Sequence, residues 1–138
     1  MSESQPPPPQ VWPSLQARDA RALIRFLVEV CGCEETAIHG EGDRVEHAEL
    51  AWPPGGGIML GSVKASPGID QPTPPGAFSA YVVTDEPEPI YARAMAVGAK
   101  VVREFHETPY GSRDFAVLDP EGNRWYFGTY RGEPRRHG

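Results

Sequence analysis

The sequence predicts an α+β fold made from one βαβββ module written twice, and three observations predict it. Set against itself at a shift of 66 residues, the chain places Asp19 on Asp85, Ile24 on Ile90, Gly32 on Gly98, Pro54 on Pro120 and Gly56 on Gly122. Such self-similarity at a fixed spacing marks a repeated structural unit. Each copy carries one stretch of helical apolar period, preceded by one extended segment and followed by three. The length of 138 residues suits one domain, whereas two independent halves would each bury too little surface to be secure.

In the first copy, Leu15-Gln16-Ala17 reads as the end of a short strand leading to Asp19, whose carboxylate suits a helix N-cap. Ala20, Leu23, Ile24, Leu27, Val28 and Cys31 then recur at helical spacing, with Arg21, Arg25 and Glu29 opposite them, so the helix covers a sheet with one face. Gly32 follows where a left-handed residue ends a helix. Extended segments are expected around Glu34 to His39, from Arg44 to Trp52, and at Ile58-Met59-Leu60 after a Pro-Pro-Gly-Gly-Gly turn.

The second copy repeats the order. Ala80 to Val83 is the strand and Asp85 the helix entry, with Pro87 and Pro89 tolerable in or before a first turn. Ile90, Ala94 and Val97 mark the buried face, and Gly98 stops the helix. Lys100 to Phe105, Asp114 to Leu118 and Trp125 to Phe127 supply the strands, with most of 105–115 reading as a loop and Asp119 to Asn123 as the last turn. Module one is thus expected over residues 10–61, a Pro- and Gly-rich linker over 62–77 and module two over 78–130, with tails at 1–9 and 131–138. Pro6 to Pro9 have the composition of a polyproline ligand or of a solvated extension.

Charge and composition exclude some functions. The formal net charge is −6; the tail 131–138 contributes +2 and the tail 1–9 contributes −1, so residues 10–130 carry −7. A body of that charge has no basic stripe for phosphates, so nucleic acid is not an expected partner. Nor does any apolar run reach the roughly 18 residues needed to span a bilayer, and with no secretory signal the expectation is a cytoplasmic protein. Cys31 and Cys33, separated by one glycine, read as reduced thiols behind a helix end.

The marks Leu15-Gln16-Ala17-Arg18-Asp19, Gly98-Ala99, Pro109-Tyr110-Gly111-Ser112-Arg113-Asp114-Phe115 and the closing Asp119-Pro120-Glu121-Gly122-Asn123-Arg124-Trp125 resemble the vicinal oxygen chelate superfamily over residues 11–130. That superfamily includes glyoxalase I, extradiol dioxygenases, fosfomycin-resistance enzymes and bleomycin-resistance proteins. The resemblance implies two modules curving as a mixed sheet around a cleft, commonly in a homodimer. It also implies four inward positions where metal-dependent members place His, Glu or Gln. Carried over by the motifs, these fall at Trp12, at Met59 (or Leu60 by the strict shift), at Ser79 and at Tyr126. None is a usual ligand for a hard cation, so no metal or other cofactor is expected.

What stands there instead is the lining of a small-molecule pocket. Strand alternation from these positions puts Trp12, Ser14 and Gln16 on one cleft face and Ser79, Tyr81 and Val83 on the other, with Leu15, Ala17 and Val82 toward the helices. Tyr110 and Arg113 stand where a loop could close over a ligand, though Arg113 equally suits a sheet-edge ion pair. Of His39, His47, His106 and His137, His47 can share a strand face with Glu49 but not with Glu46. The candidate ligand-binding set is therefore Trp12, Ser14, His47, Met59, Ser79, Tyr81, Tyr110, Arg113 and Tyr126. The expected function is metal-independent binding of an aromatic or cationic small molecule by a bleomycin-resistance-like homodimer. The alternatives are a glyoxalase-type lyase or isomerase, with a displaced metal or with His47 or His106 as acid-base catalyst, and a non-catalytic dimerising subunit.

Overall fold

The computed structural model describes residues 9–64 and 73–134. The middle of the expected linker, the polyproline residues Pro6 to Pro8 and His137 lie outside the described residues.

Module one runs β1 (Ser14–Ala17), α1 (Ala20–Glu29), β2 (Glu34–Glu41), β3 (Arg44–Ala51) and β4 (Gly57–Ser62). Module two runs β5 (Ser79–Val83), α2 (Pro87–Ala96), β6 (Val101–Glu107), β7 (Arg113–Leu118) and β8 (Arg124–Gly128). The duplicated βαβββ order is as expected, with the strands divided between two four-stranded mixed sheets, β1-β4-β3-β2 and β5-β8-β7-β6. In each, the first strand of the module lies parallel to the last and the others pair antiparallel. No helix of the described residues is long and apolar enough to cross a membrane.

The local chemistry explains the ends of α1. Asp19 caps it by accepting a hydrogen bond from the Ala22 amide at 3.1 Å. At its other end Gly32 turns left-handed (φ 89°), so the Cys33 amide reaches back to the Leu27 carbonyl at 2.9 Å and the Gly32 amide to Val28 at 3.2 Å. This paired closure satisfies carbonyls that a helix end leaves free.

Helix α2 departs from expectation at both ends. Its N-cap is Glu86 rather than Asp85, with no side-chain cap bond; the Asp85 carboxylate instead pairs with Arg131. Pro89, the third helical residue, has no N–H, which removes one of the amides a capping side chain would serve. Val97 is not on the buried face but is the C-cap residue, 58% exposed. Strand β6 also extends further than expected: it includes His106 and leaves a loop of only 108–112 before β7.

Pleating divides each sheet into two faces. One row (Leu15, Leu60 and Ala48 in the first sheet, Val82, Phe127 and Phe115 in the second) turns inward and joins Leu23, Leu27, Ile90 and Ala94 of the helices in one hydrophobic cluster spanning both modules. Polar links reinforce that junction. The Arg93 guanidinium donates to the Val30 carbonyl at 2.9 Å, and Glu121, in the last turn of module two, accepts from the Arg18 and Asp19 amides at 2.8 and 2.9 Å. The opposite face of each sheet turns away from this core.

Candidate functional site

The open faces follow from the register. In the first sheet Ser14, Met59 and Glu49 lie side by side, as do His47 and His39 on the next rows. In the second sheet Tyr81, Tyr126 and Ala116 share one row, and Val83, Gly128, Asp114 and His106 share the next. Leu60 sits on the core row and is 2% exposed, so Met59 is the one of that pair on the open face. Trp12 lies two residues ahead of β1 rather than within it, with its indole over the start of β4: a Cβ at Gly57 would come within 2.6 Å of the ring. Ser79 begins β5, exposed and opposite Arg124.

At the four positions to which the resemblance carries the metal ligands of other members, this chain has an indole, a thioether, one hydroxyl and a phenol. That donor set does not fit a hard divalent ion. Among the described residues no group of three or more His, Cys, Asp or Glu is placed to hold a metal elsewhere.

The second sheet brings together a denser polar site centred on Asp114. Its carboxylate is buried (6% exposed) in β7. One oxygen, Oδ1, accepts from the Tyr81 hydroxyl at 3.1 Å and from the Ser112 hydroxyl. The other, Oδ2, has the Tyr110 hydroxyl at 3.5 Å. The Tyr81 hydroxyl also accepts from the Tyr130 amide at 3.2 Å, and Thr129 donates to Ser112 at 3.3 Å. Burial is the first cause raising Tyr81 above the ordinary phenol value, with the hydrogen bond to Asp114 and its charge adding to the rise and the bonds from Ser112 and Tyr130 opposing it. Tyr81 thus stays a hydroxyl donor at neutral pH.

Gly128 makes this arrangement possible. It faces Asp114 across β7–β8, and a Cβ built on it would overlap both the Asp114 carboxylate and the Tyr81 hydroxyl. Beside the carboxylate, the Tyr110 and Tyr130 rings meet edge to face at 5.3 Å and 68°, and Tyr110 is 62% exposed. The loop holding Tyr110 is closed by Thr108, whose amide donates to Ser112 and whose hydroxyl accepts from the Ser112 amide at 2.9 Å.

The first sheet offers a looser set. His47 Nε2 and Glu49 Oε2 lie 2.9 Å apart, and the His39 and His47 rings stack at 6.4 Å. Gln16 is already engaged, donating to the Thr73 carbonyl and accepting from the Lys64 amide, each at 3.1 Å. Arg113 belongs to neither set. Its guanidinium turns to α2, donating to Glu88 at 2.8 Å and to the Asp85 carbonyl. That hydrogen bond lowers the Glu88 carboxyl and raises the guanidinium, so of the two sequence readings the geometry takes the ion pair.

Sequence reasoning missed Asp114, Ser112, Gly128 and Tyr130. A signal existed: an aspartate directly ahead of the apolar run Phe115-Ala116-Val117-Leu118 in the same strand. The cysteines are buried free thiols, with Cys33 pushed up to about 12 by burial and Cys31 raised well above 9.0 by burial and then by Cys33. They form part of an apolar cavity of about 380 Å³ between the modules, together with Leu27, Trp52, Trp125 and Phe127. A larger concavity, about 660 Å³, lies behind α1 against Lys100 and Glu121 and contains none of the candidate site residues.

Comparison with known proteins agrees with this architecture. The family model described as Glyoxalase/Bleomycin resistance protein/Dioxygenase superfamily matches residues 10–127. No curated protein sequence matches. Among solved structures, TioX from Micromonospora sp. ML1 superposes with a TM-score of 0.70 at 23% identity, covering 91% of this chain and 98% of its own. TnmS3, an antibiotic binding protein from Streptomyces sp. CB03234, does so at 0.64 and 25%, covering 92% and 94%. A lactoylglutathione lyase from Agrobacterium tumefaciens scores 0.65 at 22%, covering 89% and 94%.

Proposed function

This chain belongs to the Glyoxalase/Bleomycin resistance protein/Dioxygenase superfamily, and from that premise we propose that it binds an aromatic or cationic small molecule without a metal, sequestering or carrying it. One observation carries the reading. The positions that would hold a metal carry Trp12, Met59, Ser79 and Tyr126, while the adjoining open face presents phenols around a buried carboxylate. Aromatic walls with a few fixed polar groups are the make-up of a ligand site. Likeness to an antibiotic binding protein supports the same direction.

In this reading residues 10–130 form one domain with a linker at 62–77, and the protein works as a homodimer in the cytoplasm, where Cys31 and Cys33 stay reduced. The open faces of the two modules lie on separate sheets, so a second copy is the means by which the Met59 face and the Tyr126 face come to share one ligand.

A ligand-library thermal-shift screen, run with elemental analysis of the purified protein, tests the proposal. A binder gains stability as RT ln(1 + [L]/Kd). The expected result is saturable stabilisation by at least one compound in protein without stoichiometric metal. An ion bound one per chain in the cleft would overturn it. The His47–Glu49 contact at 2.9 Å supports a second reading, acid-base catalysis by an imidazole held by a carboxylate. Any detected turnover should then fall at least about a hundredfold in His47→Ala. Turnover that survives in the His47→Ala, His106→Ala double variant removes this reading.

A further inference from the structure

Resting on the binding reading above, we propose that the ligand is a cation, an aromatic compound bearing a protonated or quaternary nitrogen, and that Asp114 is the anchor for its charge.

A carboxylate withdrawn from water is ordinarily neutralised by a cationic neighbour. Asp114 is 6% exposed, yet no Lys, Arg or His among the described residues forms an ion pair with it. The neighbouring cations are committed elsewhere. Arg113, next in sequence, is drawn to Glu88; Arg131 pairs with Asp85; and His106, directly across the β6–β7 ladder, has Nδ1 on the Glu104 carbonyl at 2.9 Å.

The two oxygens of Asp114 are also unequally served. Oδ1 takes the Tyr81 and Ser112 hydroxyls, while Oδ2 has the Tyr110 hydroxyl at 3.5 Å, the limit of a hydrogen bond. The vacant acceptor capacity therefore lies on the Tyr110 side. That side is walled by the Tyr110 and Tyr130 rings, both substantially exposed. Phenol faces beside a carboxylate attract an organic cation twice over, through the ring quadrupole and through the charge. The absence of a side chain at Gly128 holds the carboxylate at this depth. The charge of −7 over residues 10–130 draws cations toward the protein.

The test uses four matched probes: 1-naphthylmethylamine, its N,N,N-trimethyl ammonium analogue, 1-naphthylmethanol and 1-naphthoic acid. Their affinities are measured by calorimetry against the full chain, against Asp114→Asn and against Tyr110→Leu. The expected result is that the two cations bind at least about tenfold tighter than the alcohol, with the acid weakest. Asp114→Asn should collapse that preference. Tyr110→Leu alters an exposed ring and should weaken both cations about fivefold even if Asp114→Asn fails to fold. Equal binding of alcohol and cations, or a preference that survives Asp114→Asn, overturns the proposal while leaving the binding reading intact. Binding of none of the four also counts against it, and the wider library screen then decides the fate of the binding reading separately.

Discussion

Glu121 offers the sharpest test of how the two modules are joined. Helix α1 has Asp19 as N-cap, and a local capping box would place a carboxylate three residues on to accept from the Asp19 amide. Ala22 stands there instead, and Glu121 supplies the carboxylate from the other module. Its side chain is 4% exposed and accepts two amide protons, one per oxygen. Glu121→Gln keeps the shape but turns an NH2 group toward one of those donors, costing a charge-assisted bond worth about 1.5–3 kcal/mol. For a chain of this size that lowers Tm by about 6–12 °C. Arg18 adds little, because its guanidinium is 3.8 Å away and its side chain 70% exposed. The assay is calorimetry on the wild type, Glu121→Gln, Arg18→Ala, and Glu121→Ala with and without Ala22→Glu. Ala22→Glu should restore roughly half the loss by rebuilding the local box. A change of less than about 1 °C in Glu121→Gln, or a larger one in Arg18→Ala, would refute the reasoning.

Three further outcomes follow from the same contacts. Gly128→Ala drives a methyl group into Asp114 and Tyr81; it should cost about 1–3 kcal/mol in urea unfolding and weaken any ligand held at that face. Because Cys31 and Cys33 stay protonated when folded while unfolded thiols ionise near 9.0, their contribution to stability is intact below pH 9 and is lost as pH rises toward about 12. The loss should reach up to about 1.4 kcal/mol per pH unit for each thiol, and Cys33→Ala should make the alkaline fall in Tm shallower. Finally, Arg113→Ala breaks a half-exposed pair with Glu88, so it should leave both the urea midpoint and the affinities for the naphthyl probes nearly unchanged; a large loss of binding would return Arg113 to the site.

Where a residue's role is set within a few neighbours, the sequence was a sufficient guide. Asp19 and Gly32 bound α1 as expected, and Leu15 and Ala17 face the core while Ser14 does not. Roles set by other strands were hidden. The pairing of β6 with β7 shifts register between Val101 and Arg103 and again between Arg103 and His106. Such irregularities break the alternation from which a strand is recognised, which is why most of 105–115 read as loop. Asp114 was visible as a strand residue, but its meaning depends on Gly128 and Tyr81, which reach it only through β8 and β5. A shift of 66 residues also could not separate Asp85 from Glu86 as N-cap, because Pro89 removes one of the amides a capping side chain would serve.

The closing motif shows why fold and chemistry part company here. Asp119 accepts from the Glu121 and Asn123 amides, the Asn123 side chain and the Trp125 indole, at 2.8 to 3.0 Å. Gly122 turns left-handed beside Gly76, and Glu121 reaches across to α1. Almost every specific residue of Asp119 to Trp125 is therefore employed in holding the last turn and joining the modules. At the matching turn of module one stand Pro53, Gly55 and Gly57, in place of Asp119, Glu121 and Asn123. The two copies have divided the work: one carries the junction, and the side chain of its neighbouring strand, Tyr126, faces the open sheet beside Tyr81. A motif occupied by folding identifies the scaffold and says nothing of a metal. The chemistry of this chain has to be read from the open face, where a buried carboxylate ringed by hydroxyls meets no positive charge among the described residues.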